Sequence, residues 1–409
     1  MTAVNPRRRR DDSSGLERLL AAKEIVVFCG AGGVGKTSVA AAAALGAASQ
    51  LGGKVLVLTI DPAKRLATAL GLEGLGNRAH QVPPELLKAA GVEPRGELWA
   101  AMLDTKQSWD DLVLRHAKDE ETAYRILDNR LYHSLTGRFV QSHDYIAMER
   151  LYEIHAGGEY DLIVIDTPPT RNAIDFLEAP ARMAEFFGGR LLRWLTLPYR
   201  VGGKRGNRVL SVASRPFYQM ADRVLGSKVL EDIAEFFMNF QSMYDGFVQR
   251  AHAVEALLHD RRTTFAVVTT LEAAPLNEAE HFCAELVNRS FHLGALVLNK
   301  TLPDYLLDPD GAEAATTLVD DAPALASEFA ALGPPELADT TRTARVLRTI
   351  GESYRNFSVV ALREAELRSE LARVPEEVLR VPTFERDIGD LDGLVEIGRY
   401  LFGDPASEA

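Results

Sequence analysis

Gly30, Gly35, Lys36 and Thr37 stand at the spacing G-x-x-x-x-G-K-[ST] inside VVFCGAGGVGKTSVAAAAAL, residues 26–45. Glycines let a backbone turn tightly and approach a phosphate. The N–H groups from Gly32 and Gly33 through Val34 and Gly35 to Lys36, Thr37 and Ser38 then line an anion nest at a helix N-terminus. In such a loop Lys36 reaches the β- and γ-phosphates and the Thr37 hydroxyl ligates Mg²⁺. Two carboxylates complete the set. Asp166 closes the apolar run LIVID. A buried charge there needs a cation, and the shell of a Mg²⁺ ion, reached through water, supplies one. Asp61 closes VLVLTID. It can orient an attacking water or take its proton, and a plain strand-capping aspartate is the alternative.

These groups need strands that end together. EIVVFCG (24–30), KVLVLTID (54–61), DLIVIDT (161–167), TFAVVTT (264–270), ALVLNK (295–300) and LRVPTF (379–384) read as such strands, and LWAAMLD (98–104) as a further one. Near-continuous Val/Ile/Leu runs imply burial on both faces. The expected fold is therefore α/β, a P-loop architecture with a mainly parallel sheet covered by helices. Residues 105–158 and 175–260 read as mainly helical. Positions 233, 236, 237, 240, 244 and 247 fall on one helical face. The expected organisation is a basic arm (1–22), core (23–104), helical subdomain (105–158), core strand and switch (159–174), helical subdomain (175–260) and core (261–409). LPDYLLDPDGAEAA (302–315) reads as a loop, and about 340–372 as helix.

The 409 residues carry a formal charge of −12, and 46% are hydrophobic. An acidic balance argues against nucleic acid as the main partner. Cys29 and Cys283 lie far apart without C-x-x-C spacing. That pattern suits a reducing, cytoplasmic setting and gives no zinc site within one chain. The opening MTAVNPRRRRDDSSG has four arginines but no apolar stretch after them. It is expected to be a disordered basic arm and not a leader, with contact to phosphate or a membrane surface as the alternative.

Together GAGGVGKTS, TIDPAKRLATALGL, DLIVIDTPPTRNAIDFL and LVLNK resemble the arsenical-pump and tail-anchored-protein-targeting ATPases. That family belongs to the deviant-Walker-A branch of P-loop NTPases, and the likeness is strongest to actinobacterial members called anion-transporting ATPases. The resemblance covers about residues 23–402. It implies ATP and Mg²⁺ as cofactors, and a nucleotide-gated homo- or heterodimer. Lys36 and Asp61 would serve catalysis, Thr37 and Asp166 the metal. Thr167, Pro168, Pro169 and Thr170 would form the second switch, Asn299 would read adenine, and 381–384, including Pro382, would cover the base. Asn299 and Lys300 read on their own also fit a strand-end turn.

The sequence departs from that family at three points. The family loop carries a lysine where this chain has Ala31, and that lysine crosses a dimer interface to the partner's phosphates. Without it, a homodimer needs another cation (Lys64, Arg65 and Arg171 flank the switches), or a lysine-bearing paralogue supplies the charge. A weakly hydrolysing regulatory subunit is the further alternative, and a partition-type ATPase a more distant one. The metalloid-sensing cysteines and the interface zinc C-x-x-C are also missing.

All six methionines after Met1 lie between Met102 and Met243. In the family this region forms an apolar client groove, whereas Met in a helical core is the plainer reading. EFFGGRLLRWLTLPYRVGGKRG (185–206) reads either as part of such a groove, a membrane-surface element, or an ordinary helix and loop. An apolar client or membrane protein is thus an expected partner, with a peripheral place at the membrane left open.

Overall fold

The computed structural model describes residues 15–60, 65–138, 140–167, 177–179, 181–182, 185, 227–371, 375 and 377–403. Eight strands form one sheet: β1 Ile25–Cys29, β2 Lys54–Thr59, β3 His80–Gln81, β4 Glu97–Met102, β5 Leu162–Asp166, β6 Thr263–Thr269, β7 Leu293–Thr301 and β8 Glu377–Pro382. Their order is β3-β4-β2-β5-β1-β6-β7-β8. Every neighbouring pair is parallel except β3 with β4. The sheet thus has the expected α/β character, and β3 is an addition too short to show periodicity.

The described helices are α1 Gly15–Ala21, α2 Lys36–Gln50, α3 Arg65–Ala69, α4 Pro84–Ala89, α5 Thr105–His116, α6 Glu120–Leu127, α7 Arg130–Arg138 and α8 Val140–Gly157. They continue with α9 Ser227–His259, α10 Ala273–Asn288, α11 Pro309–Asp320, α12 Ala322–Leu332, α13 Thr340–Leu371 and α14 Leu391–Phe402. The stretch expected as a loop at 302–315 is a 3₁₀ turn over Asp304–Leu307 followed by α11. Asp308 caps α11 by accepting from the Asp310 N–H at 3.0 Å, and Pro309 fits the first helical position. The proline and acidic residues that suggested a loop are helix-start signals here.

Two cores flank the sheet. On one side α2 is buried almost all round, from Val39 to Ala48. Its alanines let it lie close to the strands while α14 seals it with Leu394, Ile397, Leu401 and Phe402. On the other side α5 to α10 build the second core, where Phe247 stacks on Tyr145 at 4.4 Å and on Trp109 at 6.0 Å. Phe236, Phe237, Phe240 and Phe247 of the expected apolar face are buried, and Ile233 packs against them. Met148 and Met243 are buried in this core too. Met183, Met220, Trp194 and nearly all of 185–206 lie outside the described residues. Among the described residues, no helix is long and apolar enough to cross a membrane.

The second core holds a charge. Glu149 is 1% exposed, pairs with Arg250 and accepts from the Tyr145 hydroxyl at 2.5 Å. Burial pushes its carboxyl above the usual range while Arg250 opposes the shift. His116 and Glu153 lie within 4.8 Å of it. Arg250, Arg115 and Arg150 already take these carboxylates, so the group is an ion-pair network. Arg250→Met strands a buried charge and is expected to cost about 3–5 kcal/mol in urea unfolding. Adding Glu149→Met should recover most of that loss. A single-variant cost under about 1 kcal/mol would refute the pairing as a structural requirement.

Candidate nucleotide site

The sheet order places β1 between β5 and β6, with β2 beyond β5. Phe28 of β1 and Thr59 of β2 are both in register with Asp166 of β5. The carboxyl ends of three strands therefore meet where the loop after β1 opens into α2. Ligands of open α/β sheets bind at such carboxyl ends.

The loop's shape follows from its glycines. A Cβ on Gly30 would come within 2.1 Å of the Val268 carbonyl oxygen, and one on Gly35 within 2.3 Å of Asn299 Nδ2. Both residues also have positive φ, 149° and 91°. A side chain at Gly30 would push against the β6 backbone, and one at Gly35 would displace the Asn299 side chain from the loop.

Lys36, the first residue of α2, is 7% exposed and its ammonium donates to the Ala31 carbonyl at 2.8 Å. The Thr37 hydroxyl donates to Asp166 Oδ2 at 2.7 Å, and the Thr59 hydroxyl donates to the same oxygen at 2.9 Å. Asp166 is fully buried. Thr167 donates its hydroxyl back to the Phe28 carbonyl at 2.8 Å, fixing the strand end beside the loop.

A cavity of about 910 Å³ opens over this arrangement. Of the residues expected from sequence, Gly33, Gly35, Lys36, Thr37, Ser38, Thr167, Asn299 and Pro382 line it. Gly30 lies beneath, against Val268. The Val34 side chain is buried in the core, and only its carbonyl faces Asn299. Gly32 and Asp166 are not in the lining. Arg65 lines the cavity, whereas Asp61, Lys64, Pro168, Pro169, Thr170 and Arg171 lie outside the described residues.

Three contributions were not legible in the motif. Thr59 shares the Asp166 oxygen from β2. Lys300 lines the cavity and donates to the Gly33 carbonyl at 3.2 Å. Phe384, Arg386 and Ile388 form a wall beyond β8. The wall had a partial signal in the segment 381–384, and Lys300 stood in the motif LVLNK, where it fitted a strand-end turn with nothing to mark its contact with the loop.

Cys29 ends β1 just before the loop. Burial pushes its thiol up to about 12, and burial does the same to Cys283. Neither side chain is a ready thiolate at neutral pH.

Comparison with known proteins agrees with this geometry. The family described as Anion-transporting ATPase matches residues 23–313. A protein of Aquifex aeolicus whose name includes "arsenical pump-driving ATPase" is 23% identical over 301 residues, 70% of this chain and 65% of that protein. Uncharacterized protein SCO2128 of Streptomyces coelicolor is 28% identical over 283 residues, 68% of this chain and 63% of its own. The chain thus spans less than two thirds of these relatives' length. ATPase BagA of Mycobacterium tuberculosis is 24% identical over 402 residues, 95% of both chains. With the family match running from β1 past β7, through the phosphate loop and the Asp166 strand, the chain belongs to the anion-transporting ATPase family.

Proposed function

We propose that the chain is a Mg²⁺-dependent ATPase that works as a nucleotide-gated dimer with a lysine-bearing paralogue. The observation that carries this reading is the Thr37–Asp166 pair at the mouth of a glycine-bounded loop. A hydroxyl and a carboxylate are hard oxygen donors and suit Mg²⁺. Such an ion, held by these oxygens, would supply positive charge to offset that of the phosphates. Thr37 would hold it directly and Asp166 through water.

The chain's own groups do the rest. Lys36 and the loop N–H groups stabilise the charge on the γ-phosphate. Water attacks the phosphorus, the bond to the ADP oxygen breaks, and Asp61 orients the water and draws its proton. The Asn299 amide and the segment around Pro382 hold the base. Opening and closing of the dimer moves the helices around α5–α9, coupling hydrolysis to an apolar or membrane-associated client. Two buried thiols offer no three-cysteine metalloid site, so a transported anion is not part of the reading.

The test is steady-state ATP hydrolysis by the full chain across protein concentration, beside Asp61→Asn. Activity near background with ATP still bound, rising when the paralogue is added, is the expected result. Specific activity that climbs with concentration and vanishes in the mutant would mean a self-sufficient homodimer, with Arg65 at the cavity as the described candidate cation. Ala31 also favours a second reading, a regulatory subunit that binds nucleotide and activates a paralogue with little turnover of its own. Full paralogue activity with Asp61→Asn in this chain would select it.

A further inference from the structure

The end of β7 carries a defect in register. Asn299 pairs with Val381 and Thr301 with Pro382, leaving Lys300 as the extra residue of a bulge. Its φ is 56°, a left-handed conformation shared, among the described non-glycine residues, only with Ser290. In a regular strand Asn299 and Lys300 would point to opposite faces. The bulge instead lets both reach the phosphate loop. Asn299 Nδ2 donates to the Val34 carbonyl at 2.7 Å, and Lys300 Nζ donates to the Gly33 carbonyl at 3.2 Å.

A trans peptide points its carbonyl and the following N–H in opposite directions, and the described chain has no cis peptide. Capturing the carbonyls of Gly33 and Val34 therefore turns the N–H groups of Val34 and Gly35 away from β7. A nest binds anions only when its N–H groups converge. We propose that Asn299 and Lys300 are positioning residues: the β7 bulge sets two adjacent side chains against the loop's carbonyls and so aims its amides at the phosphate that ATP and ADP share. The inference rests on the nucleotide reading above and adds a function for Lys300, which acts through the loop without touching phosphate.

Lys300→Gly tests this cleanly, because glycine accepts the left-handed backbone. Binding of ATP, ADP and adenosine to the full chain is measured by calorimetry with Mg²⁺, alongside Tm. Lys300→Gly should weaken ATP and ADP equally, about tenfold each, as expected for a hydrogen bond to a charged donor. Adenosine binding should not change, Tm should stay level or rise, and Lys300→Arg should restore both nucleotides. Unchanged ATP and ADP affinities would overturn the proposal. So would a loss confined to ATP, which means direct contact with the terminal phosphate, or a Tm that falls with affinity. If the wild-type chain binds no nucleotide, the functional reading falls and takes this inference with it, and that control separates the two failures.

Discussion

On the proposed reading, Asp166→Asn leaves the fold intact and lowers ATP hydrolysis about 10–100-fold at limiting Mg²⁺. The substitution is close to isosteric. Its side-chain oxygen can still accept from the Thr37 and Thr59 hydroxyls, which now meet at Asp166 Oδ2. What disappears is the negative charge in a fully buried position. If Asp166 stands in the shell of a bound Mg²⁺, as proposed, its carboxylate adds attraction that an amide cannot. Unfolding should shift little, since removing a buried charge offsets any imperfect hydrogen bond. The measurement is hydrolysis at graded Mg²⁺ beside Tm, in the chain plus paralogue if the chain alone is silent. Wild-type activity at limiting Mg²⁺ would remove Asp166 from the metal's surroundings.

Ala31→Lys has the largest expected gain. A cation delivered across an interface to a transferring phosphoryl group is worth about 10³–10⁵ in rate where an arginine finger supplies it. Ala31 is partly exposed at the rim of the α2-side core, so a longer side chain can leave toward solvent. The isolated variant should therefore turn over ATP on the order of 10³ faster than the wild type, with specific activity rising with protein concentration. A donor chain carrying both Ala31→Lys and Lys36→Ala is dead in its own site, yet should activate added wild-type chain. If the single variant gains nothing at any concentration, the missing side chain is not what limits this site.

The phosphate loop was readable because its chemistry fixes residue types at fixed spacing. The central strands were readable because burial on both faces leaves unbroken Val/Ile/Leu runs, as in β1 and β5, buried along their whole length. The helix α13 showed its boundaries within a residue or so of the expected 340–372. Other features had no such signature. Strand β3 is two exposed residues defined only by their pairing with β4. Lys300 reads as the end of a strand or part of a strand-end turn, and its place as the extra residue of a bulge shows only once the register with β8 is known, because a bulge is a property of two strands and not of one. Thr59 looks like an ordinary β-branched strand residue, and only the β2–β5 register brings its hydroxyl to Asp166. Arg386 and Ile388 enter the cavity from more than 340 positions beyond the loop, a distance no local pattern spans.

The shared oxygen of Asp166 has one more consequence. Thr37 has a single hydroxyl proton and spends it on Asp166. The same atom's lone pairs are left as the only capacity it can offer to a visitor. On the proposed reading, the hydroxyl is an acceptor already aimed before any cation arrives, and Thr59 on β2 shares that carboxylate oxygen. Metal capture would then require no rotamer search at this ligand and little ordering entropy. The rate of capture should be set by how fast the ion sheds water, which for Mg²⁺ is a reluctant step, rather than by any motion of the protein.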